Sequence, residues 1–286
     1  MPTDLNLNDN TSRKCRVDCA RTAYSSLWRG LVQSWQTGGE SDAAWLTYSA
    51  NYLLNTAGVR WALDPLSLFS RLGGGPQPDF RADLECLQMV VLSHAHNDHL
   101  DLQLIAAIRD LPVTWVIPAF MLDRVIREAS LPAGQIIVPQ AGQPIRIDGL
   151  TLIPFDGQHF RGDNGVPEMG YTAEFAGKRW LFPGDTRTYA AERLPQYKQL
   201  DGVVAHLWLG KGCAQDRRPP LLDDFCRFVK ELAPAQVAVT HLDELGRDDH
   251  DLWTLQHYEL ARSRLQEIAP EIRVRSACMG QCISLE

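Results

Sequence analysis

Leu92-Ser93-His94-Ala95-His96-Asn97-Asp98-His99-Leu100-Asp101 places three imidazoles and two carboxylates in one short stretch. It follows Leu87-Gln88-Met89-Val90-Val91-Leu92, an apolar, partly β-branched run bounded by polar residues, which reads as a buried strand. The cluster therefore stands where a strand ends, the position at which open α/β sheets put their ligand sites. His94 and His96 are two apart, so in an extended segment they share a face. Asp98 and His99 follow where the chain turns and present donors from another direction. Such a segment can offer two groups to one cation and two to another.

Working outward, other apolar runs deliver donors in the same way. Gly157-Gln158-His159-Phe160 follows Leu150 to Phe155, Phe182-Pro183-Gly184-Asp185-Thr186 ends a second run, and Val239-Thr240-His241 ends a third. Upstream, Trp61-Ala62-Leu63-Asp64-Pro65 closes an earlier strand. Five of the chain's 8 histidines fall at these places. Asp98 and Asp185 end apolar runs, where an unpaired carboxylate is costly to bury. Metal coordination removes that cost.

This ordered set resembles the metallo-β-lactamase superfamily, over roughly Ala44 to His241 and more loosely to the C-terminus. The resemblance implies an α/β fold, a four-layer αββα sandwich. It also implies a ligand set: His94, His96 and His159 for one metal, Asp98, His99 and His241 for the other, with Asp185 bridging. Asp64 takes the place of an early strand-end aspartate that supports the metal loop. Imidazole with carboxylate suits zinc first, and also manganese or iron. Two divalent ions can share a water whose pKa falls to about 7, giving a nucleophile for a carbonyl carbon or a phosphorus. Asp98 and Asp185 are then the catalytic carboxylates, Asp98 steering the nucleophile.

Within the superfamily the chain is similar to the branch of the L-ascorbate-6-phosphate lactonases and the N-acyl-phosphatidylethanolamine-hydrolysing phospholipases D, with departures. Trp45-Leu46-Thr47-Tyr48 stands where that branch has a Trp-Leu-Gly-His-like segment, so Tyr48 becomes a pocket candidate. Leu242-Asp243-Glu244-Leu245 replaces Trp-Gly-Thr-Phe, so neither lactone nor phospholipid carries over as substrate. Only 25 residues separate His159 from Asp185 and 55 separate Asp185 from His241, which leaves no room for the inserted domain of the β-CASP nucleases.

At 286 residues and 45% hydrophobic content the chain can bury a sizeable core. Residues 1–40 read as an N-terminal extension and 41–286 as the hydrolase domain. From Ala20 to Trp35, Tyr24, Leu27, Trp28, Leu31, Val32 and Trp35 recur at helical spacing. That face packs on the main domain, walls the site or supports a homo-oligomer. Thr37-Gly38-Gly39-Glu40-Ser41 reads as a linker. A net charge of −7 argues against nucleic-acid partners. No run has the length of a membrane span, and the N-terminal residues lack a signal-peptide pattern. With seven cysteines, an odd number, the expectation is a cytoplasmic protein with reduced thiols. Cys15 with Cys19 and Cys278 with Cys282 would form a second metal site or redox pair only if the chain ends met.

The remaining pattern alternates strand and helix, with helices at Leu102 to Arg109, Ala119 to Ala129, Leu221 to Leu232 and Asp251 to Ile268. A final strand around Ile272 to Ser276 and Cys282 to Leu285 closes the sheet. Gly73-Gly74-Gly75-Pro76 lacks the Lys-Ser or Lys-Thr of a phosphate loop and reads as a loop near the site mouth. For the substrate, a small and anionic ester, lactone or phosphodiester, the candidates are Arg161, Arg187, Lys211, Arg217 and Arg218, with Tyr48 in the pocket. His206 reads as a proton donor or as a packed histidine behind the ligands. Two other functions use the same residues: an iron-dependent oxidoreductase similar to the persulfide dioxygenases, and a metal-stabilised protein without turnover.

Overall fold

A computed structural model describes residues 13–39, 41–73, 77–160, 163–209, 221–247 and 252–286. The aromatic stripe near the N-terminus belongs to a helix, α1 (Arg13–Thr37), longer at both ends than its apolar repeat. Tyr24, Trp28, Leu31, Val32 and Trp35 are buried in the first hydrophobic core of the chain itself. The indole of Trp35 donates to the carbonyl of Leu54 (3.0 Å), so even the polar atom on this face is satisfied.

Ala43–Leu46 (β1), Tyr52–Thr56 (β2) and Val59–Leu63 (β3) form an antiparallel meander. Its β2–β3 turn is Ala57 and Gly58, both at positive φ (49° and 80°), which matches the twist of a tight hairpin. Met89–Val91 (β4), Thr114–Val116 (β5) and Ile136–Ile137 (β6) extend the sheet in parallel from β3. The connections carry α2 (Phe69–Leu72), α3 (Phe80–Asp83), α4 (Leu102–Ile108) and α5 (Ala119–Ala129).

The second half repeats this plan. Ile145–Ile147 (β7), Leu150–Asp156 (β8), Met169–Phe175 (β9) and Lys178–Phe182 (β10) are antiparallel, and the β9–β10 turn is again an Ala-Gly pair at positive φ, Ala176 and Gly177. Gly202–His206 (β11), Gln236–Thr240 (β12) and Arg273–Ser276 (β13) follow in parallel, with α6 (Leu221–Leu232) and α7 (Leu255–Ile268) between them. The C-terminal strand expectation needs correction. Only β13 edges the second sheet, while Cys282–Ser284 (β14) pairs antiparallel with β1 in the first. The chain crosses between sheets at Gly280, whose φ of 82° and amide bond to the Leu46 carbonyl (2.8 Å) turn it back. The last helix likewise starts at Leu255 rather than Asp251, because Thr254 and His257 form a reciprocal cap there.

Each sheet has seven strands, ordered β14-β1-β2-β3-β4-β5-β6 and β13-β12-β11-β10-β9-β8-β7. One core lies between α1 to α5 and the first sheet, one between the sheets, and one between the second sheet and α6 with α7. This is the four-layer αββα sandwich. It explains why β4 reads as a continuous apolar run: Met89 and Val91 face the other sheet while Val90 and Leu92 face the helices. Among the described residues no helix is long and apolar enough to cross a membrane. Gly74, Gly75 and Pro76 lie outside the described residues, so the loop assigned to the site mouth has no structural account.

Candidate metal centre

The site forms where strands of both sheets end side by side. Leaving β3, Asp64 takes a left-handed conformation (φ 47°), and leaving β12 His241 does the same (φ 63°). Non-glycine residues hold such backbones at a cost of order 1–3 kcal/mol, met by their surroundings. For His241 the amide donates to the carbonyl of Ser49 (2.8 Å); for Asp64 it donates to Val91 (2.8 Å). Asn51, fully buried in the β1–β2 loop, donates to the carbonyls of both Asp64 and Asp98 (2.8 Å each). One side chain thus pins the loop after β3 to the loop after β4.

His94, His96 and His159 form one group of converging ligand-type atoms, and Asp98, His99, Asp185 and His241 a second, all within 4.8 Å of one another in each group. Asp185 lies between them. Its Oδ2 is 3.9 Å from His94 Nε2, 3.8 Å from His159 Nε2 and 3.7 Å from His241 Nε2, and its Oδ1 is 3.4 Å from His99 Nε2. These separations are long for hydrogen bonds. Two donors each bound to one zinc at roughly 2.0–2.2 Å stand roughly 3–4 Å apart.

The Nε2 atoms of His94, His99, His159 and His241 are buried and have no hydrogen-bond partner. The far nitrogens of two rings show which tautomer applies. His99 Nδ1 donates to Asp64 Oδ2 (2.8 Å), and His94 Nδ1 stands 2.9 Å from Ser93 Oγ and 3.2 Å from Glu168 Oε1. Ser93 is held in turn by Asp64, which accepts both its amide (2.7 Å) and its hydroxyl. The Nε2 lone pairs of His94 and His99 then point inward, as in histidines whose outer nitrogen is fixed by a carboxylate. Burial lowers the pKa of His94 and of His159 to about 3, so both rings are neutral at pH 7. Burial opposes the charged form of His99 and His241 as well, but the Asp185 carboxylate beside them holds His99 well above and His241 above the ordinary imidazole value. Buried imidazoles without partners at Nε2, gathered around an ionised carboxylate, are a donor set for a divalent cation.

Glu168 has no counterpart among the sequence candidates. Its Oε1 accepts the amide of Asp185 (2.8 Å), its backbone carbonyl accepts the amide of Gly157 (2.8 Å), and burial, then the Asp185 charge, pushes its pKa up to about 8. A Cβ on Gly157 would come within 2.7 Å of its carboxyl and one on Gly184 within 2.4 Å. Those two glycines, visible in the Gly-Gln-His and Gly-Asp motifs, were the signal that something large packs there.

Among the other sequence candidates, His206 lies behind Asp185, with Nδ1 2.7 Å from Asp185 Oδ1 and Nε2 2.9 Å from the Tyr52 hydroxyl. Both nitrogens are within hydrogen-bond distance of protein groups, and the ring packs behind Asp185. Tyr48 is buried and donates to the carbonyl of Leu245 (3.2 Å), which makes it a loop anchor. Arg187 lies over the indole of Trp208, its guanidinium carbon 5.1 Å from the ring centroid. Arg161, Lys211, Arg217 and Arg218 lie outside the described residues. Arg247, not a sequence candidate, stands 3.8 Å from Asp98 and is ion-paired with Glu244. Cys278 lies near Asp243, Sγ 3.7 Å from Oδ2, while the Cys15 side chain is not described.

A family model described as a beta-lactamase superfamily domain matches residues 62–242. Among solved structures, a metallo hydrolase from the hyperthermophilic archaeon Ignicoccus hospitalis aligns with a TM-score of 0.61 at 18% identity, covering 86% of this chain and 99% of that one. An isothiocyanate hydrolase from Delia radicum gut bacteria aligns at 0.58 with 22% identity, covering 85% and 98%. A diiron β-hydroxylase from Streptomyces venezuelae aligns at 0.62 with 16% identity, and there the match spans 86% of this chain but 54% of the hydroxylase. At these identities the likeness is one of fold. No curated protein matches the chain in sequence.

Proposed function

The chain belongs to the beta-lactamase superfamily, in its metal-dependent form, and from that premise we propose that it is a dinuclear hydrolase of a small anionic ester, lactone or phosphodiester. The observation that carries this reading is Asp185, set between two groups of imidazoles whose Nε2 atoms lack partners. His94, His96 and His159 would hold one divalent ion and Asp98, His99 and His241 the other, with Asp185 shared. Zinc suits this imidazole-rich set best, with manganese or iron as substitutes. Bound there, the ions supply Lewis acidity for the substrate oxygen and acidify a water at neutral pH.

The chain's own residues supply orientation. Asp64 and Glu168 fix the rings of His99 and His94, and His206 holds one oxygen of Asp185. Asp98 stays ionised: burial opposes this, but His241, whose Nε2 stands 3.5 Å from Oδ2, and the charge of His99 hold its carboxyl well below the usual range. An ionised Asp98 beside His241 would accept a hydrogen bond from the attacking water and so orient it. His96 is half-buried and Phe160 47% exposed, so in this reading a substrate reaches the centre past them. The departures at Tyr48 and Leu242 leave the lactonase-like branch as a model of chemistry rather than of substrate. The expectation of reduced thiols and the net charge of −7 support a cytoplasmic enzyme.

Metal analysis paired with a screen of lactones, thioesters and phosphodiesters tests this. Two equivalents of zinc or manganese with turnover are expected. One iron with oxygen uptake would replace the hydrolase by an oxidoreductase, and metal without turnover would leave a binding protein.

A further inference from the structure

Arg187 leaves β10 on the same loop as Asp185, and its amide donates to the carbonyl of Gln158 (2.9 Å), so the loops carrying Asp185 and His159 run side by side. Its guanidinium lies over Trp208. That ring meets Trp253 at 6.2 Å between centroids, and Arg247 lies over Trp253 at 5.5 Å. Two arginines therefore end a row of two indoles, one beside each half of the metal centre. They differ in charge balance. Arg247 is neutralised by Glu244 and Asp98. Arg187 has no carboxylate partner among the described residues, and its Nε is buried without an acceptor.

A buried charged donor left unpaired costs roughly 1–3 kcal/mol or more. Packing over the indole holds the guanidinium in place, and a guanidinium held so can take a planar oxyanion through two parallel N–H bonds. The charge is felt at His96 and His159, where, after burial, it helps hold both imidazoles below their ordinary pKa. The amide bond to Gln158 sets Arg187 beside His159, on the side of the three-histidine group, where His96 is half-buried and Phe160 exposed.

We propose that Arg187 anchors an oxyanion carried by the substrate, a carboxylate or a phosphate, on the side of His96 and His159, with the scissile bond directed toward Asp185. The neutralised Arg247 leaves the opposite side for the uncharged part. This assignment rests on the hydrolase reading for the word substrate, but the anion site itself does not.

The test uses metal-loaded wild type, Arg187→Gln and Arg187→Lys at equal metal content. Calorimetric titration with inorganic phosphate and with acetate reports the site without turnover. The Gln variant is expected to weaken the tighter of the two at least tenfold, the Lys variant less, and the tighter anion names the class. For turnover, phenyl acetate is compared with its 4-carboxyphenyl analogue. Wild type should prefer the carboxylated ester, and Arg187→Gln should reduce that preference at least tenfold. Unchanged anion affinity in Arg187→Gln overturns the proposal, as does a wild type that hydrolyses both esters without preference. Loss of anion binding in Arg187→Gln with no ester turned over by wild type keeps the anion site and removes the hydrolase.

Discussion

His206 Nδ1 stands 2.7 Å from Asp185 Oδ1, and the other face of the same ring meets the Tyr52 hydroxyl at 2.9 Å. Tyr52 belongs to the first sheet and His206 to the second, Asp185 lies in the loop after β10, and the hydroxyl also meets Thr240 Oγ1 at 2.8 Å. The shared carboxylate is thus oriented across the interior of the sandwich by a three-residue chain of hydrogen bonds.

Tyr52→Phe tests that chain with the smallest change. It removes one buried hydroxyl and leaves His206 Nε2 and Thr240 without that partner, at roughly 1–3 kcal/mol in stability. Outer partners of metal ligands typically matter by about 10–100-fold in metal affinity or activity. We expect metal affinity, measured by chelator competition, to fall about tenfold while the variant remains folded. Unchanged affinity would reduce Tyr52 to packing.

Gly184→Ala is expected to be among the most damaging single-methyl additions in the chain. The residue has φ 76°, and its Cβ would stand 2.4 Å from Glu168 Oε1. The left-handed backbone costs roughly 1–2 kcal/mol and the overlap roughly 1–3 kcal/mol. The two contributions separate in a double-mutant cycle with Glu168→Ala, which removes only the second. Urea unfolding should give a coupling of about 1 kcal/mol or more. Additivity within about 0.5 kcal/mol would mean that the glycine serves the backbone alone.

The ends of apolar strands were legible in sequence because a parallel strand buried on both faces prints as an unbroken run, and a His or Asp closing such a run has no bland role. The two-half plan was legible for the same reason. Asp64 follows the third strand of one half and Asp185 the corresponding strand, β10, of the other. What stayed hidden were groups whose roles depend on a partner far along the chain. Asn51 looks like an ordinary turn residue until Asp64 and Asp98 are placed around it. Glu168 sits before a strand in a polar stretch, and only the cavity left by Gly157 and Gly184 marks it. The C-terminal strands were misassigned because β13 and β14 are short and similar in pattern, and hydropathy does not say which sheet edge a strand joins.

Asp243 supplies a pH dependence separate from metal loading. Its carboxyl is buried, Oδ1 has no partner, and burial pushes its pKa up to about 6. A folded pKa above the unfolded value of about 3.9 means that the neutral form is the one the fold favours. The stabilisation is full below about pH 4 and is lost as pH rises through 6, by at most roughly 3 kcal/mol for two units. Asp243→Asn keeps the left-handed backbone (φ 55°) within an amide's habits and removes the titration. In chelated protein, the stability difference between variant and wild type should grow in favour of the variant from pH 4 to pH 7. A constant difference would place the Asp243 carboxyl in water.

Asp185→Ala addresses the centre directly. The carboxylate lies within 4 Å of the Nε2 atoms of His94, His99, His159 and His241. Removing it deletes the shared donor, leaves the three-histidine group without a carboxylate and leaves the other group with Asp98 alone to balance a divalent ion. We expect metal content to fall below one equivalent and turnover to vanish. A ligand at a hundred times its dissociation constant stabilises a fold by about 2.7 kcal/mol, so chelation should lower the wild-type melting temperature and leave that of Asp185→Ala nearly unmoved. Full metal content in the variant, with wild-type turnover, would show that the imidazoles alone assemble the centre and that Asp185 is not its bridge.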